Sequence, residues 1–355
     1  MQKNGAIQIL RGGAAILVVI AHFSASIGDY YTGSPITFKT GLVELGNVGV
    51  SVFFFISGFI MMQTTINKSW GWQESIRFIK KRFIRIYPLY WLWTSILLIL
   101  WLVGLALKSH DYTFMYVLKS YILIPTISSG DKHPLLSPGW TLVFEMFFYV
   151  TLFICIAFDL KKHVIIYILM FFSLMYFSSD YFSDAISYIV SSYLIFQFVF
   201  GMISWTIFNK YKGVLDCYQS KFTVISVFVF IMLVSVTLAG KSYNNIFIFI
   251  VMFVLILTTS LSKYSNSKYT VFFEFLGDAS YSIYLVHYIF SLLLSSVLKK
   301  GFFQSINPIV LLCTSSLVVT VICLVSYVYI EKPIVNFFNS HGKYKKSQAE
   351  SECGV

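Results

Sequence analysis

Long apolar blocks alternate with short polar punctuation along this chain, and the alternation predicts helices near 6–27, 47–66, 88–107, 138–158, 164–179, 186–208, 222–240, 245–261, 276–298 and 308–330. A helix of about 20 apolar residues, rising about 1.5 Å per residue, crosses a hydrocarbon core about 30 Å thick. Most of these blocks have that length, and 164–179 is the shortest. The expected fold class is therefore all-α: a polytopic integral membrane protein of about ten transmembrane helices. Residues 1–333 form one transmembrane domain, and 334–355 form a polar cytoplasmic tail. No cleavable signal with a small-residue cleavage site precedes the first block, which is expected to remain in the mature protein.

Composition supports this reading. Of 355 residues, 57% are hydrophobic and 12% charged, against roughly a quarter charged in an ordinary soluble domain. So little polar material cannot coat a water-soluble globule of this size. The net charge of +11 does not indicate nucleic acid, because the basic residues sit in short runs between apolar blocks rather than on one soluble face. Those runs set the orientation. With the N-terminus inside, eighteen lysines and arginines fall in cytoplasmic segments and seven on the other side, with Arg11 in neither group. Such a bias places both termini in the cytoplasm. The cysteines at 155, 217, 313, 323 and 353 have no metal-ligand or redox spacing and read as small packing residues, so no metal is expected.

Two connections are longer than the rest. Residues 67–87 include SIRFIKKRFIRIYP, whose Arg77, Lys80, Lys81, Arg82 and Arg85 are expected along one side of an interfacial helix. A plain anchor on anionic lipid is the alternative. Residues 108–137, with Asp111, Asp131 and His133, have the length of a lid or binding element.

Ionisable groups are costly in hydrocarbon, so those inside spans are functional candidates. They are few here: Arg11, His22, Glu145 and His287, with Asp278 at a span edge. Arg11 and His22 lie eleven residues apart on the first helix. At about 100° per residue they share one face, about 16 Å apart along the axis. Gly12, Gly13, Ala14 and Ala15 leave room beside them for a helix or ligand. The alternatives are an Arg11 that snorkels to the headgroups and a His22 that merely packs. Glu145 lies at a depth matching that of His22, and pairing would fix the imidazole tautomer and raise its basicity. Glu145 could instead serve a tyrosine or serine. His287, near mid-membrane, is a candidate for the same cavity or for a structural role.

Six segments in order, LRGGAAILVVIAHF, GNVGVSVFFFISGFIM, FIKKRFIRIYPLYWL, GWTLVFEMFFYV, LGDASYSIYLVHY and YIEKP, run from about residue 8 to 333. Together they resemble the acyltransferase-3 family of bacterial membrane acyltransferases, which acylate extracytoplasmic sugars such as O-antigen and exopolysaccharide. The resemblance implies that Arg11 and His22 are the functional pair, that cytosolic acetyl-CoA is the donor, and that the product appears outside the cytoplasmic membrane. Gln8 stands where many relatives carry an acidic residue. The hydrolase-like domain that some relatives carry after the last helix is not seen, which leaves the acceptor to the membrane domain or to a partner.

On this reading Lys80, Lys81, Arg82 and Arg85, with Arg11, hold the nucleotide end of coenzyme A. The pantetheine arm threads along the face of Arg11 and His22, and His22, oriented by Glu145, takes the proton of the sugar hydroxyl. Whether His22 acts as base or first accepts the acyl group stays open. Trp140, His287 and the 125–139 loop are the expected sugar-side elements, while Ser57 and Gly58 read as close-packing residues. Expected partners are a carbohydrate acceptor and membrane lipid, with a homo-oligomer or polysaccharide-assembly proteins left open. A transporter or flippase of lipid-linked saccharide is the main competing reading, although neither paired broken helices nor an internal repeat is seen.

Overall fold

The computed structural model describes residues 4–29, 36–107, 111–125, 133–240, 245–265, 267–301, 303 and 305–338, and these contain helices and turns but no strand. In chain order the helices are α1 (Gly5–Gly28), α2 (Ile36–Thr65), α3 (Trp72–Leu102), α4 (Phe114–Tyr121), α5 (Gly139–Ala157), α6 (Val164–Phe177) and α7 (Asp184–Val190). They continue with α8 (Leu194–Leu215), α9 (Gln219–Leu238), α10 (Asn245–Ser260), α11 (Lys268–Asp278), α12 (Ser280–Leu298) and α13 (Pro308–Ser326). A π-helical turn, Tyr327–Glu331, follows α13. Each predicted apolar block falls on a helix. Seven helical stretches among the described residues are long and apolar enough to cross a membrane, and the shorter apolar α10 joins them.

The bundle is organised around α1 and α2, which pack on each other. α1 also packs against α11, α12 and α13, and α2 against α8 and α9. Small residues permit this closeness. Ala14, Ala15 and Val19 of α1 are fully buried. A Cβ on Gly58 of α2 would collide with the Phe198 carbonyl of α8, and one on Gly201 of α8 with the Phe55 carbonyl of α2. The two helices therefore cross in backbone contact, the usual way helices associate where lipid supplies no hydrophobic drive. Gly277, at the end of α11, likewise abuts the Gln8 carbonyl of α1. Outer helices such as α6, α9 and α13 expose Met170, Leu174, Phe228, Leu317 and Val321.

Several boundaries differ from expectation, among them the break of the 186–208 block between α7 and α8, and three bear on the site. The basic stretch is not a separate interfacial helix, because α3 runs unbroken from Trp72 through Pro88 to Leu102. Proline in a helix interior costs one backbone hydrogen bond and a local clash. The surrounding helix is well anchored: the Ile86 carbonyl accepts from Tyr281 Oη at 2.7 Å, and Tyr90 Oη donates to the Ser120 carbonyl at 2.8 Å. The block at 276–298 is broken between α11 and α12 where Ser282, in the first turn of α12, gives both its backbone N–H (3.1 Å) and its hydroxyl (2.6 Å) to the Glu331 carboxylate. The last helical stretch continues past the predicted start of the tail, to Phe338.

The long 108–137 connection contains α4, pinned to α3 by Tyr87 and Tyr90, and residues 126–132, with Asp131, lie outside the described residues. So do the tail from 339 onward and Cys353. Cys155 and Cys323 are buried free thiols, while Cys217 and Cys313 are free and exposed.

Candidate active site

A cavity of about 70 Å³ lies inside the bundle, lined by Arg11 of α1, Ser57 and its apolar neighbours on α2, Arg82 and Arg85 of α3, Thr141, Glu145 and Tyr149 of α5, and Ser280, Tyr281 and Tyr284 of α12. A space of that size holds a few waters. Its chemistry is unusual for a membrane interior. Three guanidiniums face one carboxylate, and among the described residues none of the three has a carboxylate within 4 Å. Buried charges are normally paired, so this cavity is suited to an anion.

Local sequence explains the placement. Phe78, Arg82, Arg85 and Leu89 recur at helical spacing and form the inward face of α3. The Arg82 guanidinium carbon sits 5.6 Å from the Phe78 ring centre and 5.7 Å from that of Tyr149, within cation–π range. Arg82 Nε and Ser280 Oγ are buried without a hydrogen-bond partner among the described residues. Orphans of this kind point to a site that something polar fills. Glu145 is held by Ser57 Oγ, which donates at 3.1 Å, and by the Tyr149 hydroxyl, whose hydrogen bond to the same oxygen is very short.

A smaller pocket of about 20 Å³ shares Arg82 with this cavity and is lined by Thr64, Thr65, Lys68, Glu74, Arg77 and Lys81, among others. Arg77 is tied to Glu74 at 2.6 Å. Lys68, in the α2–α3 connection, is held below the ordinary lysine value, first by burial and then by Lys81. The expected row of cations thus divides. Arg82 and Arg85 turn into the bundle, Lys81 lines the smaller pocket with Lys68 and Arg77, and Lys80 is exposed.

His22 does not meet Glu145. Glu145 takes its hydrogen bonds from a serine and a tyrosine inside the arginine cavity, whereas the His22 ring lies 5.0 Å from that of His287 and 5.6 Å from that of Tyr288. The predicted pairing fails because depth alone does not fix direction: α5 turns Glu145 into the cavity shared by Ser57, Arg11 and the α3 arginines, away from His22. Arg11 lines the arginine cavity, and His22 is not among the residues that line it. Tyr284 lines the cavity too, and its ring is 6.1 Å from that of His287. Its hydroxyl is tied to Thr141 Oγ1 at 2.7 Å and donates to the Pro138 carbonyl at 3.1 Å.

His133 is within electrostatic reach of His22, and its ring is 6.1 Å from that of Trp140. Trp140 packs on Phe54 and Phe144 and does not line the arginine cavity. His287 is fully buried. Gly58 is a close-packing residue as expected, but Ser57 is a cavity residue that serves Glu145.

Sequence reasoning missed Tyr149, Tyr284 and Glu331. Glu331 is buried at the π-helical turn, on Ser282, with Arg11 and Arg85 within electrostatic reach. Its position at the edge of the last apolar block hid it, although π-turns often mark functional sites.

A family model described as "Acyltransferase domain" matches residues 4–328. Among curated proteins, the exopolysaccharide production protein ExoZ of Rhizobium meliloti (strain 1021) is 42% identical over 114 residues, which is 31% of this chain and 35% of that protein. The acyltransferase MdmB of Streptomyces mycarofaciens is 28% identical over 151 residues, 40% of this chain and 36% of that protein. The chain therefore spans about a third of the length of these curated relatives. No solved structure matches.

Proposed function

This chain belongs to the acyltransferase domain family, and from that premise we propose that it carries an acyl group, acetyl foremost, from cytosolic acyl-CoA to a hydroxyl of a carbohydrate on the other side of a bacterial cytoplasmic membrane. Similarity to the exopolysaccharide production protein of Rhizobium supports an exopolysaccharide-type acceptor. The observation that carries the reading is the cavity itself. Arg11, Arg82 and Arg85 converge in the bundle interior with Glu145 as the single lining carboxylate among the described residues, and Arg82 lines both that cavity and the pocket of Lys68, Arg77 and Lys81. Coenzyme A carries phosphates at one end, and guanidiniums bind phosphate oxygens by forked, charge-assisted hydrogen bonds.

In this scheme the pocket of Lys68, Arg77 and Lys81 receives the nucleotide phosphates. Arg82, Arg85 and Arg11 draw the donor inward, and Glu145, fixed by Ser57 and Tyr149, keeps the three cations from repelling one another apart. His22 takes the proton of the sugar hydroxyl as its oxygen bonds to the thioester carbonyl carbon. The carbon–sulfur bond then breaks, and the proton passes to the departing thiolate. Trp140 and His133 supply an aromatic surface for sugar near His22. Lys80, exposed on α3, contributes at most long-range attraction.

The test uses membranes that contain the endogenous polysaccharide and radiolabelled acetyl-CoA. His22→Ala should lower label transfer by about 10²- to 10⁴-fold, the usual worth of a general base, with binding of acetyl-CoA retained. Arg11→Lys keeps the charge and loses the fork, so it should weaken donor binding instead. Wild-type transfer by a well-expressed His22→Ala protein overturns the assignment, and failure of the purified protein to bind acetyl-CoA favours a flippase.

A further inference from the structure

The two histidines that meet behind Tyr284 carry more information than their proximity. Nδ1 of His287 lies 2.8 Å from the Ile283 carbonyl, one helical turn back. A carbonyl can only accept, so Nδ1 must hold the proton, and in the neutral ring Nε2 keeps its lone pair. That Nε2 is buried without a hydrogen-bond partner among the described residues. A buried acceptor left unmatched is costly and is retained where it has work to do.

Two rings flank His287 at its cavity side, those of His22 and Tyr284. The Tyr284 hydroxyl is already committed to Thr141 and Pro138. His22 makes no hydrogen bond among the described residues and has an N–H to give. Two imidazoles about 1.2 Å in radius joined by an N–H···N bond of about 2.9 Å have centroids about 5 Å apart. The observed separation is 5.0 Å at a tilt of 58°, a spacing at which the bond forms when the two nitrogens face each other.

We propose that His287 is the positioning residue for His22, taking the part expected of Glu145: its Nε2 accepts the N–H of His22 and thereby fixes the other His22 nitrogen as the lone-pair base. The inference rests on His22 being the base of the acyl transfer proposed above. When the sugar hydroxyl proton moves to that free nitrogen, the new imidazolium keeps its hydrogen bond to His287 Nε2. The proton later leaves to the thiolate, so His287 itself never changes protonation. The device suits a membrane interior, because two neutral rings cost less to bury than a histidine–carboxylate pair.

The test compares His287→Leu and His287→Gln in membranes supplied with radiolabelled acetyl-CoA. The glutamine carbonyl can accept the same hydrogen, and leucine cannot. Leucine should lower the maximal rate on the order of 10- to 100-fold, the usual effect of misplacing a catalytic group, with the KM for acetyl-CoA unchanged. Glutamine should recover most of the rate. In a His22→Ala background, His287→Leu should change the residual rate no further. Glutamine that is no better than leucine, leucine at the wild-type rate, or losses that multiply with His22→Ala would each overturn the role. If the leucine protein does not fold, ¹⁵N-histidine spectra of the wild-type and glutamine proteins decide: His22 must show one ring tautomer in both, and a mixture in the wild type refutes the proposal. An active His22→Ala protein is a different failure, that of the base assignment itself, and appears without touching His287.

Discussion

Replacing Arg85 with methionine should make the protein no less stable and its donor binding much weaker, a pairing of effects that few other readings of the cavity predict. Arg85 lines the cavity beside Arg11 and Arg82, and among the described residues it has no carboxylate within 4 Å. Removing it from the free protein takes away a half-buried cation repelled by Arg11, and leaves Glu145 to serve two guanidiniums rather than three. Removing one partner of a buried ion pair costs about 3–5 kcal/mol; with no carboxylate within 4 Å of Arg85 among the described residues, its replacement should escape that cost. In the complex the same change deletes a charge-assisted contact worth about 1.5–3 kcal/mol, or roughly 10- to 150-fold in affinity. Thermal unfolding in nanodiscs, with and without coenzyme A, and calorimetric titration of the same samples measure both sides. A variant that loses more than about 3 kcal/mol of stability would show Arg85 to be the buried half of an ion pair. One that binds coenzyme A as tightly as wild type would show the cavity not to be the phosphate site.

Three further outcomes follow from individual contacts. Tyr149→Phe removes the phenol that donates to Glu145 and should cost about 1.5–3 kcal/mol, since the acceptor is a carboxylate, while Ser57 keeps its own bond; thermal unfolding that does not change would mean the bond is not formed. Gly58→Ala should wedge α2 from α8 and cost about 1–3 kcal/mol, and adding Gly201→Ala at the same crossing should cost less than the sum, both read from unfolding midpoints. Lys68, held below the ordinary lysine value by burial and by Lys81, is fully charged only beneath its lowered pKa. Affinity for coenzyme A should therefore fall as pH rises through a range where a free lysine would still be charged, and Lys68→Arg should remove that fall; parallel curves for the two proteins would exclude Lys68 from the site.

The spans were legible because a bilayer demands about 20 apolar residues in a row, a signal that no tertiary context can erase. The shared side of Arg11 and His22 was legible from helical period alone, but what each faces was not. Arg11 meets arginines from α3 and His22 meets a histidine from α12, and both depend on how helices distant in sequence rotate against α1. Depth was equally deceptive for Glu145, which matched His22 in level while pointing to Ser57 and Tyr149. The split of the basic run could have been found, since Phe78, Arg82, Arg85 and Leu89 fall on one helical face and Lys80 does not. It was obscured by Pro88, read as a boundary, where α3 in fact continues. Tyr149 and Tyr284 offered no signal among 24 tyrosines.

The place of Tyr284 bears on the proposed transfer, because it lies beside both the arginine cavity and the histidines. If the donor sits among the arginines and His22 is the base, as proposed, the acyl carbon would lie near Tyr284, which lines the arginine cavity and whose ring is 6.1 Å from that of His287. The Tyr284 hydroxyl is shared between Thr141 Oγ1 and the Pro138 carbonyl, at the start of α5. Such bonds contribute only about 0.5–1.5 kcal/mol each, so they hold the ring in place without a large energetic cost to moving it. Tyr284 and His287 are three residues apart, on adjacent turns of α12. Any displacement of the α12 backbone that moves Tyr284 therefore also moves His287, so the proposed positioning of His22 is coupled to the packing of that helix.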